Sequence, residues 1–220
     1  MSWESTEHYY RLINEATRNA LGGLHSAPIA MFSVDFQEIE ALQQLGDWGT
    51  AAKILAARAA QIEAAGAELL LICTNTMHKV ADEVAAAISI PLLHLADATA
   101  LRIQESRFSK VGLLGTKFAM EQDFYKGRLV SHGLEVIVPT EPDQDTVHQI
   151  IYDELCLGRI RDESRKEYLR IIDDLARSGA QGVIAGCTEI GLLVKQEDTS
   201  VPLFDTTVIH AQQAVAEALK

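Results

Sequence analysis

The sequence has few cysteines and no long apolar run. Its three cysteines, Cys73, Cys156 and Cys187, form no CxxC pair and no even-numbered framework, so we expect a reducing compartment. No apolar run reaches the roughly 18 residues of a membrane span, and no signal peptide is visible. These absences predict a cytoplasmic protein without a membrane partner.

The common signatures of metal and nucleotide sites are also missing. The seven histidines are scattered without a pair at helical ligand spacing, and no GxGxxG or Walker sequence follows a predicted strand. We therefore predict neither a metal nor a cofactor. Acidic residues outnumber basic ones by 31 to 19, and the formal net charge of −12 argues against nucleic acid as a partner. An anionic small substrate is not excluded, because its site needs only local positive charge.

The remaining composition is that of a globular protein, with 48% hydrophobic and 23% charged residues. Apolar runs typical of strands alternate with patterns typical of helices. Strands are predicted at 28–34, 69–73, 91–95, 111–114, 134–138, 183–185 and 201–204, and helices at 51–65, 77–88, 97–104, 121–131, 146–157, 164–177 and from 207. Asp97 is expected to cap the third of these helices. This alternation predicts an α/β fold with parallel sheets.

The chain contains two copies of a strand that runs into a polar turn, GAELLLICTNT and GAQGVIAGCTE. When the copies are aligned without a gap, Cys187 falls opposite Thr74, and Thr188 falls opposite Asn75. Cys73 is one residue out of register, which on a strand places it on the opposite face. The pattern therefore predicts a site with two proton-handling groups, Thr74 and Cys187, at equivalent strand ends.

Two further segments repeat. IPLLHLADATA resembles VPLFDTTVIHA, and GTKFAMEQDFY parallels SWESTEHYY. In the second half the strand VGLL precedes this last motif, whereas its counterpart in the first half would lie before Met1. We therefore expect a numbering that begins at an internal methionine, with an opening strand missing and the first-domain sheet split by its absence. The alternative is a first half that uses fewer strands.

Five segments, MSWESTEHYYRLIN, CTNTMHK, LLGTKFAMEQDFY, GCTEIGLL and PLFDTTVIHA, together resemble the cofactor-independent aspartate/glutamate racemase family. They span nearly the whole chain in family order. The resemblance implies two pseudo-symmetric α/β/α domains with parallel flavodoxin-like sheets and an active site in the interdomain cleft. The first domain would comprise 1–96 plus 206–220, and the second 97–205. The resemblance also implies a homodimer.

Family enzymes place one cysteine at the equivalent strand end of each domain, on opposite faces of the substrate Cα. Carried over by resemblance, these positions are Cys187 and Thr74, so this chain departs from the two-thiol pattern. A helix N-terminus lowers the pKa of a nearby thiol, which predicts a thiolate base at Cys187, and Gly186 beside it allows close backbone approach. Threonine donates a proton only if one is relayed to it. By resemblance we expect L-substrates to be favoured, while Cys73 and Cys156 are predicted to lie in the core.

Substrate carboxylates need hydrogen-bond donors and a cation. The turns at Asn75, Thr76 and Thr188 present backbone N–H groups that suit the α-carboxylate. By resemblance, a basic residue after a glycine binds the side-chain carboxylate, which indicates Arg159, with Arg165 as the alternative. From the first domain the resemblance adds three positions to the cleft: Met1, Ser2 and Gln43.

The sequence therefore predicts racemisation of aspartate, glutamate or a related small amino acid without pyridoxal phosphate. Maleate isomerases and hydantoin racemases of this scaffold generally retain both cysteines, which disfavours them here. The alternative is a binding or regulatory protein that holds an amino acid and has lost efficient turnover.

Overall fold

The computed structural model describes residues 1–220 and divides them into two units. Unit 1 comprises Met1–Cys73, Met77–His94 and Ala211–Lys220, and unit 2 comprises Thr74–Thr76 and Leu95–His210. Of the residues predicted for the first domain, the turn 74–76 and residues 95–96 and 206–210 belong with unit 2. Side chains of the turn 74–76 are hydrogen-bonded to residues of unit 2.

Unit 1 is built mainly from helices. Ser2, Asp35 and Asp47 begin the first three by accepting a backbone N–H of the first turn at 3.0 to 3.1 Å. The apolar faces of these helices meet in a core that includes Ile39 and Leu55. The elements are α1 (Trp3–Leu21), α2 (Phe36–Leu45), α3 (Trp48–Ala64), a 3₁₀ turn (Thr76–Val80) and α4 (Ala81–Ala85).

The strands predicted for the first half are reduced to a single parallel bridge between Leu70 and Leu92. The Leu70 N–H donates to the Pro91 carbonyl at 2.9 Å, and the Leu93 N–H donates to the Leu70 carbonyl at 3.0 Å. Residues 28–34 form no strand, which corrects the prediction for that segment. An apolar run in the sequence indicates a segment that can be extended. It becomes a strand only where a neighbouring segment pairs with its backbone N–H and C=O groups.

Unit 2 contains a four-stranded sheet in which all neighbouring strands are parallel. The strands are β1 (Lys110–Gly115), β2 (Glu135–Ile137), β3 (Val183–Gly186) and β4 (Leu203–Asp205), in the spatial order β2-β1-β3-β4. Each lies in or beside a strand predicted from the sequence. The predicted α/β class with parallel strands is therefore confirmed.

The helices of unit 2 connect these strands. They are α5 (Leu95–Glu105), α6 (Lys117–Glu121), α7 (Asp123–Ser131), α8 (Glu141–Asp153), α9 (Asp162–Arg177), α10 (Ile190–Leu193) and the start of α11 (Thr206–Ala218), with 3₁₀ turns at Leu155–Leu157 and Gln196–Asp198. None of the helices in the structure combines the length and the apolar character needed to cross a membrane.

Both faces of the sheet are buried. Leu113 and Ile184 pack in one apolar cluster with side chains of α5 and α7, whereas Leu114 and Val183 pack in another with side chains of α8 and α9. Successive residues of a strand point to opposite faces, so an uninterrupted apolar run is what a doubly covered strand requires. Unit 2 is therefore a three-layer α/β/α structure.

Asp97 does not cap a helix, because α5 already begins at Leu95. Its carboxylate instead accepts two hydrogen bonds from Arg128, each of 2.7 Å, and lies 2.9 Å from His132 Nε2. A bidentate arginine pair fixes both distance and orientation. Asp97 therefore connects α5 to α7, and the capping prediction is corrected.

We expect Gly186→Ala to destabilise the protein, because residues of β1 leave no space for a side chain at this position. An added Cβ would lie 2.7 Å from the Leu114 carbonyl oxygen, which belongs to an inner strand and cannot move aside. The free energy of unfolding, measured by urea denaturation, should fall by roughly 1–3 kcal/mol. The control is Gly127→Ala in α7, where the new Cβ makes an ordinary 3.7 Å contact with Asp123 and stabilises the helix. Equal stability of the two variants would contradict the prediction.

Candidate active site

The carboxyl ends of β1, β3 and β4 lie side by side, and Cys187 directly follows β3. In the sheet, Gly115 pairs with Gly186, and Ala185 pairs with Asp205. Ligands of open parallel α/β sheets bind outside the carboxyl ends of the strands. Cys187 is therefore placed at the edge where a ligand is expected.

The turn 74–76 is fastened to this same edge on both sides of β3. The Asn75 Nδ2 donates to Thr206 Oγ1 at 3.1 Å, and Thr206 Oγ1 in turn donates to the Ala185 carbonyl at 2.9 Å. On the other side, Thr76 Oγ1 lies 3.1 Å from Thr116 Oγ1, just after β1. Asn75, Thr76, Thr188 and Cys187, which the sequence singled out, thus belong to one edge of one unit.

The Cys187 thiol donates a hydrogen bond to the carboxylate of Glu189, a residue that the sequence analysis did not single out. Cys187 Sγ donates to Glu189 Oε2 at 2.9 Å, and Thr188 Oγ1 donates to the same oxygen at 2.7 Å. Glu189 is only 3% exposed. Glu189 is the last residue of the CTE motif, but the contact of its side chain with the Cys187 thiol is visible only in the folded turn.

The pKa of the Cys187 thiol lies well above its ordinary value, which reverses the predicted direction. Burial is the main cause, and the negative charge of Glu189 and the nearby Cys156 act in the same direction. The helix expected to lower this pKa is α10, which has four residues and therefore few aligned peptide dipoles. Cys187 thus rests as a thiol, and it becomes a base only when its proton moves to a partner.

Cys156 is a second group that sequence reasoning assigned to the core. It lies in the 3₁₀ turn Leu155–Leu157 and packs partly against the core between α8 and α9. Its Sγ also lies 3.8 Å from Glu189 Oε1. Two thiols therefore contact the two oxygens of one buried carboxylate.

Cys73, one residue before the turn, has a different environment within unit 1. Its carbonyl accepts hydrogen bonds from the Met1 ammonium at 3.2 Å and from Ser5 Oγ at 2.9 Å. Burial raises the pKa of its thiol to about 11, with the N-terminal ammonium acting in the opposite direction. Two predicted cleft residues of unit 1 are also buried: Ser2 caps α1, and the Gln43 amide donates to the sulfur of Met77 at 3.0 Å.

The two candidate arginines differ in how they are held. Arg165 Nε donates to the Leu193 carbonyl at 2.8 Å, and its guanidinium also pairs with Asp162, so it joins α9 to α10. The exposed Arg159 is positioned by its backbone N–H, which donates to the Glu154 carbonyl at 2.9 Å, while its side chain makes no hydrogen bond or ion pair. The guanidinium that remains available to an anionic ligand is that of Arg159. The structure contains no group of three or more His, Cys, Asp or Glu side chains that could hold a metal ion.

Comparison with known proteins identifies the family. A sequence profile described as Asp/Glu/Hydantoin racemase matches residues 1–214. The chain therefore belongs to this family, and the resemblance noted in the sequence is confirmed.

Solved and curated relatives agree with this assignment. A Yersinia pestis protein provisionally named an Asp/Glu racemase is 56% identical, with a TM-score of 0.92 over 100% of this chain and 96% of that one. An aspartate racemase homologue from Pyrococcus horikoshii OT3 is 35% identical, with a TM-score of 0.85 over 99% and 95% of the two chains. The broad specificity amino-acid racemase RacX of Bacillus subtilis is 23% identical over 73% of this chain and 69% of its own. Family and relatives together support an isomerase of the racemase type.

Proposed function

We propose that this protein racemises an acidic amino acid, aspartate or glutamate, without a cofactor, and that Cys187 removes the Cα proton. The observation that carries the proposal is the 2.9 Å hydrogen bond from the Cys187 thiol to the buried Glu189 carboxylate. A thiol can act as a base only after its own proton has a place to go, and this carboxylate supplies one. The names of the solved and curated relatives support the substrate class.

The proton transfers proceed in three steps. The S–H proton passes from Cys187 Sγ to Glu189 Oε2, leaving a thiolate and a neutral carboxylic acid. The thiolate then takes the Cα proton, and the electron pair of the broken C–H bond stays on the substrate, delocalised into its α-carboxylate. A proton delivered to the opposite face of Cα completes the inversion, and Glu189 returns its proton to water, which restores the carboxylate. By family resemblance Thr74 is the donor on the opposite face, and its hydroxyl is replenished through water.

Substrate carboxylates are bound by separate groups in this proposal. The backbone N–H groups of Asn75, Thr76 and Thr188 bind the α-carboxylate, because these residues lie at the same edge of the sheet as Cys187. Arg159 binds the side-chain carboxylate, because its guanidinium is not committed to another residue. Bidentate pairing of a guanidinium with a carboxylate then favours acidic over neutral amino acids.

Unequal acids on the two faces produce an asymmetry that is best measured by isotope exchange. The two enantiomers have equal free energy, so kcat/KM is the same in both directions whatever the mechanism. Exchange of the Cα proton with solvent is free of this constraint. Because Cys187 is the stronger base, the L-enantiomer should exchange its Cα proton faster than it inverts.

The experiment is incubation of the protein with each enantiomer of aspartate, glutamate and alanine in D₂O. Loss of the Cα proton is followed by NMR, and inversion is followed by chiral chromatography. We expect exchange with aspartate or glutamate, faster for the L-form, and far less with alanine. A protein that is stabilised thermally by aspartate or glutamate without any exchange would instead be the binding protein considered as the alternative.

We expect Thr74→Cys to change the ratio of inversion to exchange. A thiol with an ordinary pKa of about 8.5 is a far better proton donor and acceptor than a threonine hydroxyl. Inversion of L-substrate should rise by roughly 100-fold, the lower end of the contribution of a positioned acid or base. Exchange of the D-enantiomer should rise with it. Thr74→Ser is the matched control, because it keeps a hydroxyl, and an unchanged ratio in Thr74→Cys would refute the role of Thr74.

A further inference from the structure

A second thiol contacts the carboxylate that receives the Cys187 proton. Cys156 Sγ lies 3.8 Å from Glu189 Oε1, whereas Cys187 Sγ lies 2.9 Å from Glu189 Oε2. The two oxygens of the carboxylate therefore face different thiols. Because Glu189 is 3% exposed, its charge and its orientation depend on the protein groups around it.

The backbone around Cys156 holds it in place. Leu155, the residue before it, is fully buried, and Gly158 ends the 3₁₀ turn in the left-handed region at φ 67°. The Glu154 carboxylate accepts a 2.5 Å hydrogen bond from Ser164 Oγ at the start of α9. The position of the Cys156 thiol against Glu189 is thus fixed from both sides of the turn.

We propose that Cys156 is a positioning residue for Glu189. Its thiol donates to Oε1, which keeps Oε2 directed at Cys187 and favours the ionised carboxylate that must receive the Cys187 proton. Donation to the charged form of an acid stabilises that form. The link to turnover rests on the proposed function, but the effect on Glu189 does not require a substrate.

Other groups near Glu189 are engaged elsewhere or face its second oxygen. Cys187 faces Oε2, and Thr188 donates its hydroxyl to that same oxygen. Tyr168 of α9, whose pKa is raised first by burial and then by Cys187, Glu189, Cys156 and Glu154, donates its hydroxyl to the Val147 carbonyl at 3.1 Å. Removing the Cys156 thiol should therefore make Glu189 hold its proton to higher pH.

The first test measures the protonation of Glu189 in the full protein without substrate. The infrared carboxyl band of Glu189 is identified by its loss in Glu189→Gln and followed against pH. We expect its midpoint to rise by roughly 0.5–1 pH unit in Cys156→Ala and in Cys156→Val. Cys73→Ala, which removes a thiol elsewhere, is the control. An unchanged midpoint in both Cys156→Ala and Cys156→Val overturns the proposal.

The second test is the pH profile of kcat/KM for racemisation. In Cys156→Ala the ascending limb should move to higher pH by the same amount, with the plateau at high pH retained. A merely structural role would lower the plateau at every pH without moving the ascending limb, and that result also overturns the proposal. Absence of Cα exchange in the unmodified protein, with a shifted infrared midpoint in Cys156→Ala, would refute racemisation and support the positioning of Glu189.

Discussion

Cys187→Ser should lower Cα proton exchange by roughly 1,000-fold or more, within the range that a positioned base contributes. The substitution keeps the size and the hydrogen bond to Glu189 but replaces a thiol by a hydroxyl, which does not ionise in the working pH range. Exchange of L-aspartate and L-glutamate in D₂O measures the effect. The melting temperature should change little, because serine is nearly the size of cysteine and keeps the same packing neighbours.

Cys73→Ser is the matched control for this prediction. Cys73 is also a partly buried thiol near the end of an apolar run, and it lies one residue away from the register of Cys187. Its exchange rates should equal those of the unmodified protein. Exchange that survives in Cys187→Ser, or is lost in Cys73→Ser, would mean that the aligned repeat identified the wrong cysteine.

Glu189→Gln should change two properties in opposite senses: the Cys187 thiol becomes more acidic, while racemisation becomes slower. The amide keeps the shape of the side chain and an oxygen for Thr188, but it cannot take up the proton of the thiol. Racemisation should fall by roughly 10²–10⁴-fold. The Glu189 charge contributes to the raised pKa of Cys187, so its removal lowers that pKa.

Alkylation by iodoacetamide measures this second effect. At any fixed pH below the pKa of Cys187, the thiol of Glu189→Gln should react faster than that of the unmodified protein, because the thiolate fraction is larger. Both proteins in this comparison carry Cys73→Ser, which removes the competing thiol of unit 1. Slower alkylation together with slower racemisation would indicate a distorted site, and unchanged racemisation would remove Glu189 from the mechanism.

The sequence was sufficient for the second half of the fold and insufficient for the first. The runs at 111–114 and 183–185 became β1 and β3 because each is apolar on both faces and has neighbours that pair with it. The run at 28–34 has a similar composition but forms no strand. Composition indicates where a strand fits, whereas pairing depends on which other segments fold beside it.

The same distinction explains what was predicted at the site. Register along a strand is a local property, so counting from the shared Gly-Ala placed Cys187 at the edge of the sheet. The contact of Cys156 with Glu189 joins residues 33 positions apart, and the spacing of residues in the sequence does not predict it. The prediction of a lowered Cys187 pKa was wrong for the same reason, because the pKa is set by burial and by neighbours that come together only in the folded chain.

The fastening of the turn 74–76 also affects the stability of the protein. Thr206 donates to the Ala185 carbonyl and accepts from Asn75 Nδ2, so the amide of Asn75 has one allowed orientation, with its oxygen turned away. That oxygen is buried and has no hydrogen-bond partner. A buried acceptor left unpaired costs about 1–3 kcal/mol. The fold thus keeps a locally unfavourable polar atom in the turn that is bonded to both sides of β3, and stability is lost where that turn is held in place.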